Sequence, residues 1–143
     1  MINSLLKTIK QIKHIAKIAF YVHFVTFLLS FASFLIFLFI TKKNNLAAII
    51  IPLAFFGFFI IVTIVLWIVF FVLILKETKK IIVEDIKDLQ LYQMIKRYKT
   101  ITFLLALRGL FFIIVFNSRR KIKFLNELLI KNQEQESKTN NGN

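Results

Sequence analysis

Two stretches of this chain, residues 18–40 and 46–75, run for 23 and 30 residues without a charged side chain. A run of about 18 or more apolar residues is long enough to cross the hydrocarbon core of a bilayer as a helix. Lipid offers no partners to the backbone, so a helix, which satisfies its own N–H and C=O groups, is the expected form. A third run, residues 100–116, is apolar except for Arg108 near its centre. The fold class expected is therefore an all-α integral membrane helical bundle. Two long transmembrane helices form a hairpin, a third short membrane-embedded helix joins them, and amphipathic cytoplasmic juxtamembrane helices flank the set.

Composition agrees. The chain has 143 residues, of which 58% are hydrophobic. A soluble chain of this size buries only part of its surface and cannot hide that fraction. The net charge of +13 falls at the ends of the apolar runs, with Arg108 alone inside one. A nucleic-acid binder needs its basic face on a soluble surface, so no nucleic-acid partner is expected. The expected partners are the lipid bilayer, its anionic headgroups, and a protein partner or a second copy of the chain. There is no Cys, which rules out disulfides and thiolate chemistry. Residues with AT-rich codons are abundant, as in a low-GC bacterium, whose plasma membrane is the expected location.

Residues 1–17 read as a basic amphipathic helix. Ile2, Leu5, Ile9, Ile12 and Ala16 share one face at spacings of 3 and 4. Lys7, Lys10 and Lys17, with Lys13 beside them, are candidate contacts for anionic lipid. Ser30-Phe31-Ala32 loosely imitates a signal cleavage site, but the apolar run continues past it, so an uncleaved first span is expected. Within that span Phe20, Phe24, Phe27, Phe31 and Phe34 form one seam and His23, Thr26, Ser30 and Ser33 another. Small hydroxyl residues allow close helix approach in a membrane. Thr26, Ser30 and Ser33 are therefore candidate packing residues and the Phe seam is expected to face lipid. The polar turn 41–45 is too short to join anything but adjacent antiparallel helices.

The second span covers residues 46–75, and residues 76–99 read as an amphipathic cytoplasmic linker helix with a break near Gln90. Its acids Glu84, Asp85 and Asp88 lie beside lysines, as on a solvated face rather than in a metal site. Residues 117–132 read as another basic amphipathic helix, whose Arg119, Arg120 and Lys121 are further candidate lipid contacts. Residues 133–143 read as a disordered tail.

The run 100–116 allows two readings, a third crossing or a re-entrant segment. Thr102, Ala106 and Gly109 form a small-residue face suited to helix packing. A central Arg costs about 2.5–3.5 kcal/mol on insertion scales, which the surrounding aliphatic side chains offset. Arg108 is then a candidate intramembrane charge. Alternatively Arg108-Gly109 breaks the helix and the segment dips in and returns. Lys and Arg number 4 before the first span, 2 in the turn, 7 in residues 76–99 and 6 after residue 116. The positive-inside rule prefers the returning segment; apolar content prefers the crossing, and the expectation settles on the crossing.

No motif for catalysis, cofactor or metal binding is present. Both His precede residue 24 and every acid follows residue 76. The function expected is that of a small multi-pass membrane protein, not an enzyme, serving as a structural or interaction subunit. In size, number of spans and charged C-terminal end the chain also resembles small phage holins, which implies membrane permeabilisation by an oligomer. It departs from them in its long segment 76–99. Bacteriocin-immunity proteins are similar in size and charge.

Overall fold

A computed structural model describes residues 2–40, 46–81, 86 and 88–140. It contains four helices: α1 (Ile2–Ile40), α2 (Leu46–Lys79), α3 (Leu89–Leu107) and α4 (Phe111–Asn140). At 1.5 Å per residue α1 and α2 are about 58 and 51 Å long. The turn 41–45 lies outside the described residues.

The contacts fix the arrangement. Phe34 meets Phe56 with ring centroids 5.8 Å apart, and His23 meets Phe70 at 6.0 Å, so α1 and α2 run antiparallel. Phe20 meets Phe112 at 5.5 Å, and the earlier Lys17 shares a cleft with the later Arg119, so α4 runs antiparallel to α1. Phe71 meets Phe103 at 5.9 Å on α2 and α3. The molecule thus has two halves. From about residue 20 down on α1, and from Trp67 onward on α2, all four helices pack as a bundle. Above that level α1 and α2 continue as a bare two-helix hairpin.

Burial follows this division. Leu5, Ile9, Ile12, Ala16 and Ala19 of α1 are buried against Ile74, Leu91, Ile95, Tyr98, Ala106, Phe111, Ile114 and Leu125. Each fully buried aliphatic side chain contributes about 1.5–3 kcal/mol. The apolar stripe of residues 1–17 is therefore spent on the bundle core rather than laid in a headgroup plane. This segment is no separate helix, since α1 passes through Lys17 without interruption. In the upper half the pattern inverts. Phe24, Phe27, Phe31, Ile51, Phe55, Phe58 and Ile61 are all exposed. The most apolar 18-residue windows of α1 and α2 have mean hydropathies of 2.3 and 3.3, yet only 6% of each is buried. A core helix of a soluble protein would be mostly buried. Both helices are long and apolar enough to cross a membrane.

Three other boundaries differ from those read in the sequence. The stretch 76–99 is interrupted, with α3 starting at Leu89 beside the break read near Gln90, but α2 runs on to Lys79 rather than ending at residue 75. Asp88 caps the start of α3, its Oδ1 accepting from the amides of Gln90 at 2.9 Å and Leu91 at 3.4 Å. Glu84 and Asp85 lie outside the described residues. Helix α4 also continues beyond residue 132 to Asn140, through most of the expected tail.

The third difference matters most. The run 100–116 is not a continuous helix but the tip of an antiparallel α3–α4 hairpin. Gly109 has φ 70°, the left-handed conformation that ends helices at glycine. The Leu110 amide donates to the Leu105 carbonyl at 2.9 Å and the Gly109 amide to the Ala106 carbonyl at 3.1 Å. This 6→1 and 5→2 pair is the Schellman arrangement. It satisfies carbonyls that a helix end would leave bare in an apolar setting. The amides of Ile113 and Ile114 then donate to the Leu110 carbonyl at 3.1 and 3.4 Å and start α4.

A methyl group at Gly109 would adopt an unfavourable φ and meet the Trp67 ring at 3.4 Å. Gly109→Ala is expected to lower stability by about 1–2 kcal/mol. Gly57→Ala, where nothing lies within 4 Å, should be neutral or stabilising by up to about 1 kcal/mol. Denaturant unfolding of both variants in detergent checks this, and equal effects would refute the turn described here.

Candidate functional site

The surface chemistry of the chain is organised around one level, where apolar helix surface gives way to cations. On α1 that point is Lys17, the last charge before residue 40. On α4 it is Arg119, the first charge after Arg108. Lys17 and Arg119 line one cleft. On α3 the point is Lys99, which directly follows Tyr98. The Tyr98 hydroxyl bonds the Ser118 hydroxyl at 2.7 Å, so Lys99 and Arg119 share a level. On α2 it is Lys76, five residues past Phe71, whose ring faces Phe103, four residues beyond Lys99. In antiparallel helices these offsets leave Lys76 and Lys99 within about 1.5 Å in height. Four boundaries far apart in sequence thus fall on a single belt.

The Tyr98–Ser118 bond ties the hairpin together at that belt. Ser118 Oγ donates to the Ile114 carbonyl at 2.7 Å, so its one proton is used and the Tyr98 hydroxyl must be the donor to it. Both side chains are fully buried. Burial pushes the Tyr98 phenol above its ordinary pKa of 10.0, opposed by the hydrogen bonds of Ser118 and, more weakly, Thr102. Thr102 is also fully buried, and its Oγ1 has no well-formed hydrogen bond. We take Thr102 as close to the phenol without bonding it in good geometry. Lys99 Nζ donates to the Ile81 carbonyl at 3.3 Å, fastening the α2–α3 connection.

Above the belt stands the hairpin tip. Its outward side chains Ile101, Leu104, Leu107, Leu110, Phe112 and Ile113 are exposed. Arg108 is also exposed and lies about 13 Å above Lys99 by helix rise. The tip leans on α2 through Trp67, whose Nε1 donates to the Ala106 carbonyl at 3.3 Å. Ala106 is buried and Gly109 half-buried beneath that indole. The role of Trp67 as the tip's buttress depends on a partner 39 residues away and carries no local signal in the sequence. His23 sits beside the tip, with ring centroids 5.1 Å from Phe111. Its Nδ1 lies 2.8 Å from the Ala19 carbonyl and so carries the proton, while Nε2 is buried without a partner.

The other sequence candidates fall in distinct places. Thr26 is buried and donates to the carbonyls of its own helix, Val22 at 3.1 Å and His23 at 3.0 Å. Ser33 likewise donates to Leu29 at 2.9 Å. Ser30 lines an apolar cleft of about 460 Å³ with Phe27, Phe34, Phe56 and Thr63. Lys7 and Lys10 line a cleft of about 620 Å³ with Leu6, Gln11, His14, Ile15 and Glu77. Lys13 and Lys121 are half-buried, and Arg120 lies over the Phe116 ring at 4.7 Å. No group of three or more His, Cys, Asp or Glu able to hold a metal occurs among the described residues.

Tyr98 generates a pH prediction. Its raised folded value means that the stabilisation is fully present below the unfolded pKa of about 10 and is lost as pH rises from there toward the folded value. Tyr98→Phe is expected to lower stability by about 1 kcal/mol at pH 8. The gap to wild type should shrink or reverse by pH 11. Parallel unfolding curves at the two pH values, with an unchanged gap, would refute this.

Comparison with protein-family models, with curated proteins and with solved structures gives no match to this chain.

Proposed function

We propose that this chain is a two-span integral membrane protein that works by contact, as a structural or interaction subunit, rather than by catalysis. The observation that carries this reading is the coincidence of four apolar-to-cationic boundaries at one level. A soluble bundle has no reason to align them. A bilayer surface does, because Lys and Arg gain at the headgroups and lose in the hydrocarbon.

In this reading α1 and α2 cross the bilayer above the belt. The roughly 23 residues from Ile18 to Ile40 span about 34 Å, close to a hydrocarbon core of about 30 Å. The α3–α4 tip enters the same leaflet and returns, so Arg108 stands near the bilayer centre. Its exposed guanidinium escapes the hydrocarbon by extending along the helix toward headgroups or water. The belt and the helices below it then lie on the cytoplasmic side. This arrangement puts 17 Lys and Arg on the inside against 2 in the turn outside, the asymmetry that the positive-inside rule favours. Small hydroxyl residues on the membrane-crossing hairpin, Ser30 and Thr63 among them, supply the close-approach surface that membrane helices use to associate.

The test is topological. Asn45→Cys and Ser137→Cys are labelled separately in intact cells with an impermeant thiol reagent. Only position 45 should react. Reaction at both positions would mean a third crossing, and release of the protein by alkaline carbonate extraction would remove the membrane reading altogether.

A further inference from the structure

The cleft where Lys17 and Arg119 meet has a volume of about 320 Å³ and lies between α1 and α4. Its mouth is cationic and its walls are apolar. Phe20, Phe112, Val115 and Phe116 supply those walls. Phe20 and Phe112 lie toward its upper end, with ring centroids 5.5 Å apart. No acidic residue lines it. Among the described residues neither Lys17 nor Arg119 is in a salt bridge. A third cation, Arg120, is one residue further along α4, held over the Phe116 ring at 4.7 Å.

Two cations without counter-ions above an apolar trough select an anionic amphiphile. A free phosphate would satisfy the cations and leave the trough wet. An uncharged lipid would fill the trough and leave the cations unmatched. The height of the cleft makes the same selection, since its cations belong to the belt and its trough runs up the tip. A guanidinium holds phosphate oxygens bidentately, whereas an ammonium acts as a point charge.

We propose that the α1–α4 cleft binds one anionic phospholipid, with its phosphate between Lys17 and Arg119 and an acyl chain along Phe20, Phe112, Val115 and Phe116. The inference rests on the membrane reading above and deepens it: beyond diffuse attraction to a charged surface, the bundle holds one lipid at a built position. That lipid would join α4 to α1 where the hairpin enters the leaflet.

The test uses the full chain purified in an uncharged detergent. It is titrated with dioleoyl phosphatidylglycerol, dioleoyl phosphatidylcholine or glycerol 3-phosphate and followed by native mass spectrometry. One phosphatidylglycerol per chain is expected, bound at least about tenfold more tightly than either comparison ligand. Lys17→Gln with Arg119→Gln should weaken it by about 25-fold, at roughly fivefold per cation. Lys7→Gln with Lys10→Gln removes the same charge outside the cleft and should leave it unchanged. Val115→Trp fills the trough, keeps both cations and should also abolish the discrete adduct. Helicity by circular dichroism is read for each variant. If Val115→Trp unfolds, the two charge pairs decide the matter alone.

Three outcomes would overturn the proposal. Equal losses in the two charge pairs would mean diffuse attraction. Equal affinity for phosphatidylcholine, whose phosphate is neutralised by its own choline, would mean that the cleft does not select an anionic lipid. Equal affinity for glycerol 3-phosphate would mean a site for a soluble phosphate. Each leaves the membrane reading standing, because that reading fails only if the protein is released by alkaline carbonate.

Discussion

The reversal at Gly109 is the constraint on which the rest of the structure depends. A helix turning back among apolar side chains exposes carbonyls and amides that nothing nearby can satisfy. The Leu110 and Gly109 amides return to Leu105 and Ala106 and cover the carbonyls, and only a residue comfortable at φ 70° permits it. From that turn everything below is placed. It sets Tyr98 opposite Ser118, hence Lys99 level with Arg119, and it directs Phe111 and Ile114 into the core, Phe111 against His23 and Phe70. The Trp67 indole closes the turn from the side of α2, donating to the same Ala106 carbonyl that accepts from Gly109. One carbonyl thus receives the donors that fix the tip both to itself and to its support.

The two halves of the molecule draw on different sources of stability. In the lower half, buried side chains from four helices make a conventional core, and truncating Ile9 or Ile95 to Ala belongs with core substitutions that cost about 2–5 kcal/mol. In the upper half the side chains are large, apolar and exposed, so their favourable solvent must come from outside the chain. The hydroxyls there are not idle donors. Thr26, Ser33 and Thr63 each bond a carbonyl one turn back in their own helix. This removes the desolvation cost of a hydroxyl in hydrocarbon and leaves the helix surface smooth.

How legible was this in the sequence? The long runs were plain, because 23 and 30 residues without charge admit few alternatives. The stripe Leu5, Ile9, Ile12, Ala16 was legible as a face, but not what it faces. An apolar stripe has the same spacing whether it meets lipid or another helix, and only the return of α4 decides it. Arg108-Gly109 was legible as a break, since glycine after a helical run is a stop signal. Apolar content obscured it, because hydropathy averages over a turn that three residues suffice to make. The convergence of Lys17 with Arg119, 102 positions apart, was not legible: each was visible as a cation at a run's end, and their meeting requires the hairpin to exist first. The same holds for Tyr98 and Ser118, two ordinary polar residues until packing brings their hydroxyls together.

Arg108 takes its meaning from this geometry. In a continuous third span it would need an intramembrane partner, and the described residues place no carboxylate near it. At a helix end the demand is smaller. The Arg108 backbone is the C-cap of α3, where the helix dipole presents about half a negative charge, and cations are favoured at that end. The side chain is exposed rather than packed between helices, so it keeps its conformational freedom. The residue that looked most costly in the sequence therefore sits where the chain best tolerates a positive charge. In the proposed membrane arrangement, Arg108 and the belt below it would act as upper and lower stops on the apolar side chains between them.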